Sequence, residues 1–281
     1  MSRESESRPE YGVIGAGAIG KSLIGRLPGK ARAVGPVAGV SFRVASRIAN
    51  VLRAGYPVRT ADALTQASVV LVHAPPDQMA SVLALLETAH MSWKGRALIF
   101  CDCDSDEAAR ARLRGRGAST AALRQFGVAG RVIVEGEGAA LKAARRIARQ
   151  LGLKAVDIYS ESAHLFEAGV TLGTCAVTPL IDRVAIILRK AGVRDHDAPR
   201  LAALLVEQTA REYAHSGRQS WGWHLKKPDV ARLEAQMAAE VRAPGPSTGP
   251  LLRALLLLGF DTFERHAEVA HRLRHNAPRL S

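Results

Sequence analysis

Between Tyr11 and Tyr159 short apolar runs alternate with longer stretches in which apolar residues recur at helical spacing. That alternation is the mark of βαβ units and a mostly parallel sheet. Strands are predicted at residues 11–14, 34–40, around Val58, and at 69–73, 97–101, 119–123, 132–135 and 155–158. Helices are predicted between them at 19–27, 43–54, 78–89, 107–114 and 139–151. From Glu161 onward strand signals stop and long helical patterns begin: one run over 162–191, then 198–215, 229–242, 251–258 and 261–276. The expected fold class is α/β, a doubly wound and mostly parallel sheet over residues 11–160, followed by an all-α C-terminal domain over 161–281. Residues 1–10, rich in Ser, Arg and Glu, read as a frayed tail.

The strongest motif follows the first strand. Gly15-Ala16-Gly17-Ala18-Ile19-Gly20 is a G-x-G-x-x-G that leaves a strand and opens a helical pattern, which marks a Rossmann dinucleotide-binding domain. Gly15 permits the tight turn, Gly17 keeps a side chain away from the pyrophosphate, and Gly20 lets the next element lie close on the strand. A helix N-terminus would then offer N–H groups to the phosphates. A cofactor with a free ribose 2′-hydroxyl usually meets an Asp or Glu about 20 residues on. Here strand two is followed by Ser41, Phe42, Arg43, Ser46 and Arg47, and no carboxylate occurs before Asp62. Ser41, Arg43 and Arg47 suit a 2′-phosphate, so NADP(H) is expected over NAD(H). His73, Ala74 and Pro75, at the carboxyl end of strand four, would line the cofactor. The acids in residues 101–106 would suit the cap of the next helix.

Composition changes this picture in one respect. At 281 residues, with 47% apolar and 23% charged positions, the chain has room for two packed domains. Its formal net charge of +13 raises nucleic acid or an anionic membrane as a partner. Yet residues 11–61 hold Lys21, Arg26, Lys30, Arg32, Arg43, Arg47, Arg53 and Arg59 with no Asp or Glu, which is +8, against −1 for residues 1–10 and +6 for 62–281. An excess of which more than half lies in the first βαβ unit fits one cofactor phosphate better than a polyanion, and no nucleic-acid partner is expected.

Cys101, Cys103 and Cys175 are too few for a disulfide framework and indicate a cytoplasmic chain with reduced thiols. No metal site is expected at Cys101 and Cys103, nor at His271 and His275, which lie on a terminal helix with Arg265, Arg272 and Arg274 and read as a solvated face. Trp221, Trp223, Lys226 and Lys227 read as a packed loop or lid. Residues 251–260, interrupted by Arg253, fall short of the ~20 apolar residues that span a bilayer. No membrane partner is expected.

The first long helical run carries a polar stripe. His164, Glu167, Thr171, Thr174 and Thr178 are spaced 3, 4, 3 and 4, which at about 100° per residue confines them to an arc of roughly 80°. Such a stripe is either a substrate pocket or a solvated or subunit-covered surface.

The glycine motif, the Ala74-Pro75-Pro76-Asp77-Gln78 strand end and the helical C-terminal half together resemble pyrroline-5-carboxylate reductase and its relatives in the 6-phosphogluconate dehydrogenase-like superfamily. Val134-Glu135-Gly136-Glu137 and Ala148-Arg149-Gln150-Leu151-Gly152 are also similar to bacterial proteins that pair a Rossmann-like domain with a helical domain of unknown function. The resemblance implies that the nicotinamide faces the first long helix and that the helical domain forms a homodimer. It also implies that Thr248 contacts substrate, in a loop where the reductases carry Ser-Pro-Gly-Gly-Thr-Thr and this chain has Ala243 and Pro246 at the first and fourth positions. Two functional readings follow. The chain is an NADP(H)-dependent oxidoreductase acting on a small imine, keto or hydroxy acid, with Glu167 or His164 as proton donor and Thr171 and Thr248 orienting the substrate. Alternatively it is an inactive NADP-binding protein that works through dimerisation or partner contacts.

Overall fold

The computed structural model describes residues 9–103, 107–160, 162–220, 229–243, 248–262 and 267–275. Strand β1 (Tyr11–Gly15) is buried along its whole length, as a central strand covered on both faces must be. It is flanked by β2 (Val34–Gly39) and β4 (Val69–His73), with β3 (Tyr56–Pro57) outside β2 and β5 (Ala97–Cys101) beyond β4. The eight-stranded sheet continues through β6 (Ser119–Arg124), β7 (Arg131–Gly136) and β8 (Lys154–Asp157), in the order β3-β2-β1-β4-β5-β6-β7-β8. Strands β1 to β6 are parallel, whereas β7 runs antiparallel to β6 and parallel to β8. The reversal has a local cause: the link from β6 to β7 is too short for a crossover, and Gly127 and Gly130 turn it at φ of 83° and 70°. Chain order reverses between β1 and β4, which opens a crevice at their carboxyl ends.

Alternate residues of the strands feed two cores. On one face Val13, Leu71 and Ile99 pack with Ile48 and Leu52 of α2 (Phe42–Leu52) and Ile147 of α5 (Gly138–Gln150). On the other, Ile14, Val72 and Phe100 pack with Val82 and Leu86 of α3 (Pro76–Thr88) and Leu113 of α4 (Glu107–Gly115). The single turn α1 (Lys30–Ala33) leads into β2. Glu10, assigned by sequence to the tail, is fixed: its carboxylate pairs with Arg146 at 2.6 Å and its carbonyl accepts from Val69. Residues 1–8 lie outside the described residues.

The helix expected at 19–27 is instead two 3₁₀ segments, Ile19–Lys21 and Leu23–Arg26. The reason is a close approach of backbone. A Cβ on Gly25 would lie 2.1 Å from the Gly20 carbonyl oxygen, so the chain folds back more tightly than an α-helix permits. Ser22 stabilises the break, donating to Ile19 O at 2.7 Å and accepting from Ile24 N at 3.2 Å.

The single run expected over 162–191 is two helices, α6 (Ala163–Thr174) and α7 (Val177–Lys190). Pro179 has no N–H to give residue 175 and its ring crowds that carbonyl, so the ladder restarts with proline in its first turn. Helices α8 (Ala198–Ser216), α9 (Val230–Arg242), α10 (Gly249–Thr262) and α11 (Ala267–His275) follow. The Trp221 to Lys227 loop lies outside the described residues.

The chain divides into two compact units, Met1–Gly169 and Val170–Ser281. The boundary falls inside α6 because its first turns are held by the sheet: Phe166 meets Phe126 edge to face at 5.2 Å, and Glu167 pairs with Arg124. Within the second unit α7 and α8 meet through Ala185, Ala198 and Ala202, while Leu233, Met237, Leu256 and Phe260 form a separate cluster of α9 and α10. Much apolar surface stays uncovered, including Leu165 at 77% and Leu172 at 69% exposure, with Leu204 and Leu205 on α8. Among the described residues one run, Ala163–Lys190, is long and apolar enough to cross a membrane by length and composition, and little of it is buried. It is not the 251–260 segment that stands out in the sequence.

Candidate functional site: the carboxyl edge of the sheet

The glycine loop leaves β1 at the point where the chain order reverses. Each glycine of the motif sits where a side chain has a specific cost. A Cβ on Gly15 would lie 2.1 Å from the carbonyl oxygen of His73, the same carbonyl that accepts the N–H of Ala16 at 2.9 Å. Gly17 has φ of 72°, and its missing Cβ would meet the ring of Pro75 at 2.8 Å. Gly20 lies against Val51 of α2. Gly17, Ala18 and Gly20 are exposed while Ala16 and Ile19 are buried, so the loop turns bare backbone outward and anchors itself with two apolar side chains. That cradle fits a pyrophosphate. The long helix expected after it is absent, so its macrodipole contributes nothing here.

At the end of β2 the Ser41 hydroxyl accepts the N–H of Val44 at 3.3 Å and caps α2. Arg43 and Arg47 are exposed on that helix. Phe42, the first helical residue, carries the guanidinium of Arg59 over its ring at 4.8 Å. Asp62, the nearest carboxylate downstream in sequence, accepts the N–H of His90 at 2.8 Å.

His73 and the adjoining Ala74 and Pro75 close the far side of the loop. The His73 ring is half-buried and its Nδ1 lies 2.8 Å from the Cys101 carbonyl oxygen, a bond in which Nδ1–H donates. Asp102 does not cap the next helix as expected. Its Oδ2 accepts the N–H of Leu23 at 2.8 Å and its Oδ1 that of Gln125 at 3.0 Å, tying the turn after the glycine loop to the ends of β5 and β6. Residues 104–106 lie outside the described residues. Beside it, burial pushes the Cys101 thiol well above its ordinary pKa, with Cys103 and Asp102 adding to the effect.

The strand register brings Glu167 to this same edge. Gly15 is level with His73, Phe100 with Ala122 and Cys101 with Leu123, so Arg124 emerges one residue beyond. Its Nη1 holds Glu167 Oε1 at 3.2 Å, and Glu167 Oε2 lies 3.4 Å from Nδ1 of the fully exposed His164.

In the second unit, Thr171, Thr174 and Thr178 are exposed. Thr174 returns its hydroxyl to the Val170 carbonyl at 2.7 Å and Thr178 to that of Thr174 at 3.3 Å. Thr248, by contrast, is 3% exposed. Both its N–H and its hydroxyl donate to Glu240, at 2.6 and 2.9 Å, and Lys190 pairs with the same carboxylate at 3.1 Å. Residues 244–247 lie outside the described residues.

A cavity of about 390 Å³ lies at the opposite edge, between the starts of β4 and β5 and the Lys142, Arg146 and Arg149 face of α5. It is remote from the glycine loop. Among the described residues no cluster of three His, Cys, Asp or Glu side chains could hold a metal.

Residues 10–101 match the family model described as NADP oxidoreductase, coenzyme F420-dependent. The fold is Rossmann-like, with helices following the sheet. A protein of Bacteroides fragilis described as an NADP oxidoreductase superposes over 93% of this chain and 99% of its own, with a TM-score of 0.68 and 15% identity. An imine reductase of Aspergillus terreus, in complex with NADPH4 and a dibenzazepine, superposes over 95% and 94% with a TM-score of 0.64 and 14% identity. An imine reductase of Bacillus cereus does so over 96% and 100%, with a TM-score of 0.60 and 15% identity. At those identities the likeness is one of fold. No curated protein matches the chain.

Two residues escaped the sequence reading. Asp102 gave a local signal for a helix cap but serves a turn 79 positions upstream. Arg59 registered only as charge, since nothing local pairs it with Phe42.

Proposed function

We propose that the chain is an NADP(H)-dependent oxidoreductase that moves a hydride to or from a small imine, keto or hydroxy acid, with cyclic imines the first class to test. One observation carries the reading. A bare-backbone cradle at the β1/β4 crevice stands beside a β2 end that offers Ser41, Arg43 and Arg47, and the nearest downstream acid, Asp62, is committed to His90. The names of similar structures, imine reductases among them, support the substrate class.

The bound nicotinamide supplies the hydride. Gly15, Gly17 and Gly20 hold the pyrophosphate, with Ala16, Ala18 and Ile19 shaping the loop, and Ser41, Arg43 and Arg47 receive the 2′-phosphate. His73, Ala74 and Pro75 line the cofactor. Glu167 and His164 are the candidates for moving the proton that accompanies the hydride, brought to the sheet edge through Arg124. Thr171 and Thr248 are the candidates for orienting a carboxylate or imine. Exposed Leu165, Leu172, Leu204 and Leu205 are suited to a second copy of the chain, giving a homodimer through the helical unit. Reduced, buried Cys101 and Cys103 are consistent with a cytoplasmic location.

The test is titration with NADPH and NADH, followed by a screen of cyclic imines and keto acids for oxidation of NADPH. NADPH is expected to bind at least tenfold more tightly than NADH. Equal or absent affinity would sink the reading. A second reading, an NADP-binding protein without turnover, draws on Thr248, whose hydroxyl is spent on Glu240. Tight NADPH binding with no turnover across the screen would favour it.

A further inference from the structure

We infer that Arg59, resting on the ring of Phe42, forms the shelf under the adenine end of the dinucleotide and is the principal cation for its 2′-phosphate. The inference rests on the NADP(H) reading and adds to it a residue from the bend just after β3 rather than from α2.

Register places Arg59 at the right level. Pro36 and Val37 of β2 pair with Tyr56 and Pro57, and Val58 donates its N–H to Val37 at 2.9 Å. Arg59 therefore leaves β3 beside the carboxyl end of β2, where Ser41 and Phe42 open α2. The aromatic ring at this corner is 42% exposed, and the guanidinium lies over it, 4.8 Å from the centroid. An exposed aromatic ring with an arginine over it is a poor use of apolar surface unless the guanidinium has a further partner.

A guanidinium stacked on one side still offers a planar face to a purine and an edge of N–H donors to a phosphate. Arg59 has no ion-pair partner among the described residues, whereas most arginines of α4 and α5 are paired with acids. Asp62, three residues on, is turned to His90 and does not neutralise it. Stacking also restrains a long side chain before any ligand arrives, so less freedom is lost on binding. Among the described residues nothing restrains Arg43 and Arg47 in this way, and the geometry ranks them behind Arg59.

The experiment uses the full chain and four ligands, NADPH, NADH, 2′,5′-ADP and 5′-AMP, titrated against the parent protein and the variants Arg59→Ala, Arg59→Lys, Phe42→Ala and Arg43→Ala. Thermal melts confirm folding; Arg59 is exposed, so its variants are expected to melt as the parent does. Arg59→Ala should weaken NADPH and 2′,5′-ADP by roughly 10- to 100-fold, the loss of a charge-assisted bond to phosphate, while NADH and 5′-AMP weaken far less. Arg59→Lys should keep part of the preference for the 2′-phosphate but weaken all four ligands, because the planar face is gone. Phe42→Ala should weaken NADPH several-fold by releasing the arginine. If the parent prefers NADPH and Arg59→Ala preserves that preference while Arg43→Ala abolishes it, the shelf is wrong and the cofactor reading stands. If the parent shows no preference for the phosphorylated ligands, both fail.

Discussion

The carboxylate of Asp102 accepts the backbone N–H of Leu23 at 2.8 Å, although 79 positions separate the two residues. It also accepts from the backbone and the side chain of Gln125, at 3.0 and 3.2 Å, and Gln125 in turn accepts from Arg26. One side chain thus fastens the turn beyond the glycine loop to two strand ends. Asp102 has φ of 48°, a left-handed conformation that Asn and Gly also accept but Ala does not readily. Asp102→Ala should cost about 1–3 kcal/mol and weaken NADPH, while Asp102→Asn should lie closer to the parent. Chemical denaturation and a cofactor titration check this; an Asp102→Ala protein with parental stability and affinity would refute the fastening role.

The three motif glycines should not be equally sensitive. At Gly15 an added methyl meets a strand carbonyl that cannot yield, whereas at Gly20 it meets the end of the exposed Val51 side chain. Gly15→Ala should destabilise by at least ~1–3 kcal/mol and abolish dinucleotide binding, and Gly20→Ala, which meets an exposed side chain, should destabilise less while still weakening the cofactor. Thermal melts of the two variants side by side decide the matter.

A buried ion pair joins α4 to β7. Arg110 Nη1 lies 2.5 Å from Glu135 Oε1, with both side chains almost wholly out of solvent. Glu135→Ala would leave Arg110 only the partly exposed carboxylate of Glu107, at 2.8 Å, and should cost about 1–3 kcal/mol. Replacing both residues, by Met at 110 and Leu at 135, should recover part of that loss, because the buried guanidinium goes with the buried carboxylate while Glu107 keeps Arg114 and Arg124 keeps Glu167. Urea unfolding of the single and double variants provides the comparison, and a double variant no better than the single would count against this account.

Thiol chemistry should separate the cysteines. Cys101 is buried and its thiol is pushed well above its ordinary pKa, first by burial, while Cys175 is exposed. Under native conditions at neutral pH, iodoacetamide followed by mass spectrometry should label Cys175 and spare Cys101 and Cys103. Labelling of Cys101 at a rate comparable to Cys175 would show that the β5 end opens.

Tyr11 links stability to alkaline pH. Its hydroxyl is pushed up to about 12, first by burial and then by Glu10, and it donates to Gln150 at 3.0 Å. Because the folded-state value lies above the unfolded one, near 10, the contribution of Tyr11 is complete below pH 10 and is lost as pH rises toward 12. The parent should therefore lose stability across that window more steeply than Tyr11→Phe. Parallel melts at pH 9 and 11 test the sign.

The strands, the glycine loop and the place where sheet gives way to helices were written locally, in apolar periodicity and in glycines that answer to their immediate neighbours. Residues 69–73 and 97–101 were readable as strands because buried parallel strands are short, apolar and bounded by turn residues. The reversal at β7 followed from a connection too short to cross over. What the sequence left open lay between residues far apart in the chain. Packing of Gly25 on Gly20 turned an expected helix into 3₁₀ segments, and the ends of β5 and β6 brought Asp102 to Leu23. Arg124 met Glu167 across 43 positions, and strand pairing set Arg59 over Phe42. Local pattern determines which elements form, because backbone geometry is local; which side chains meet at their ends is decided only when the sheet is assembled, because that depends on register and strand order.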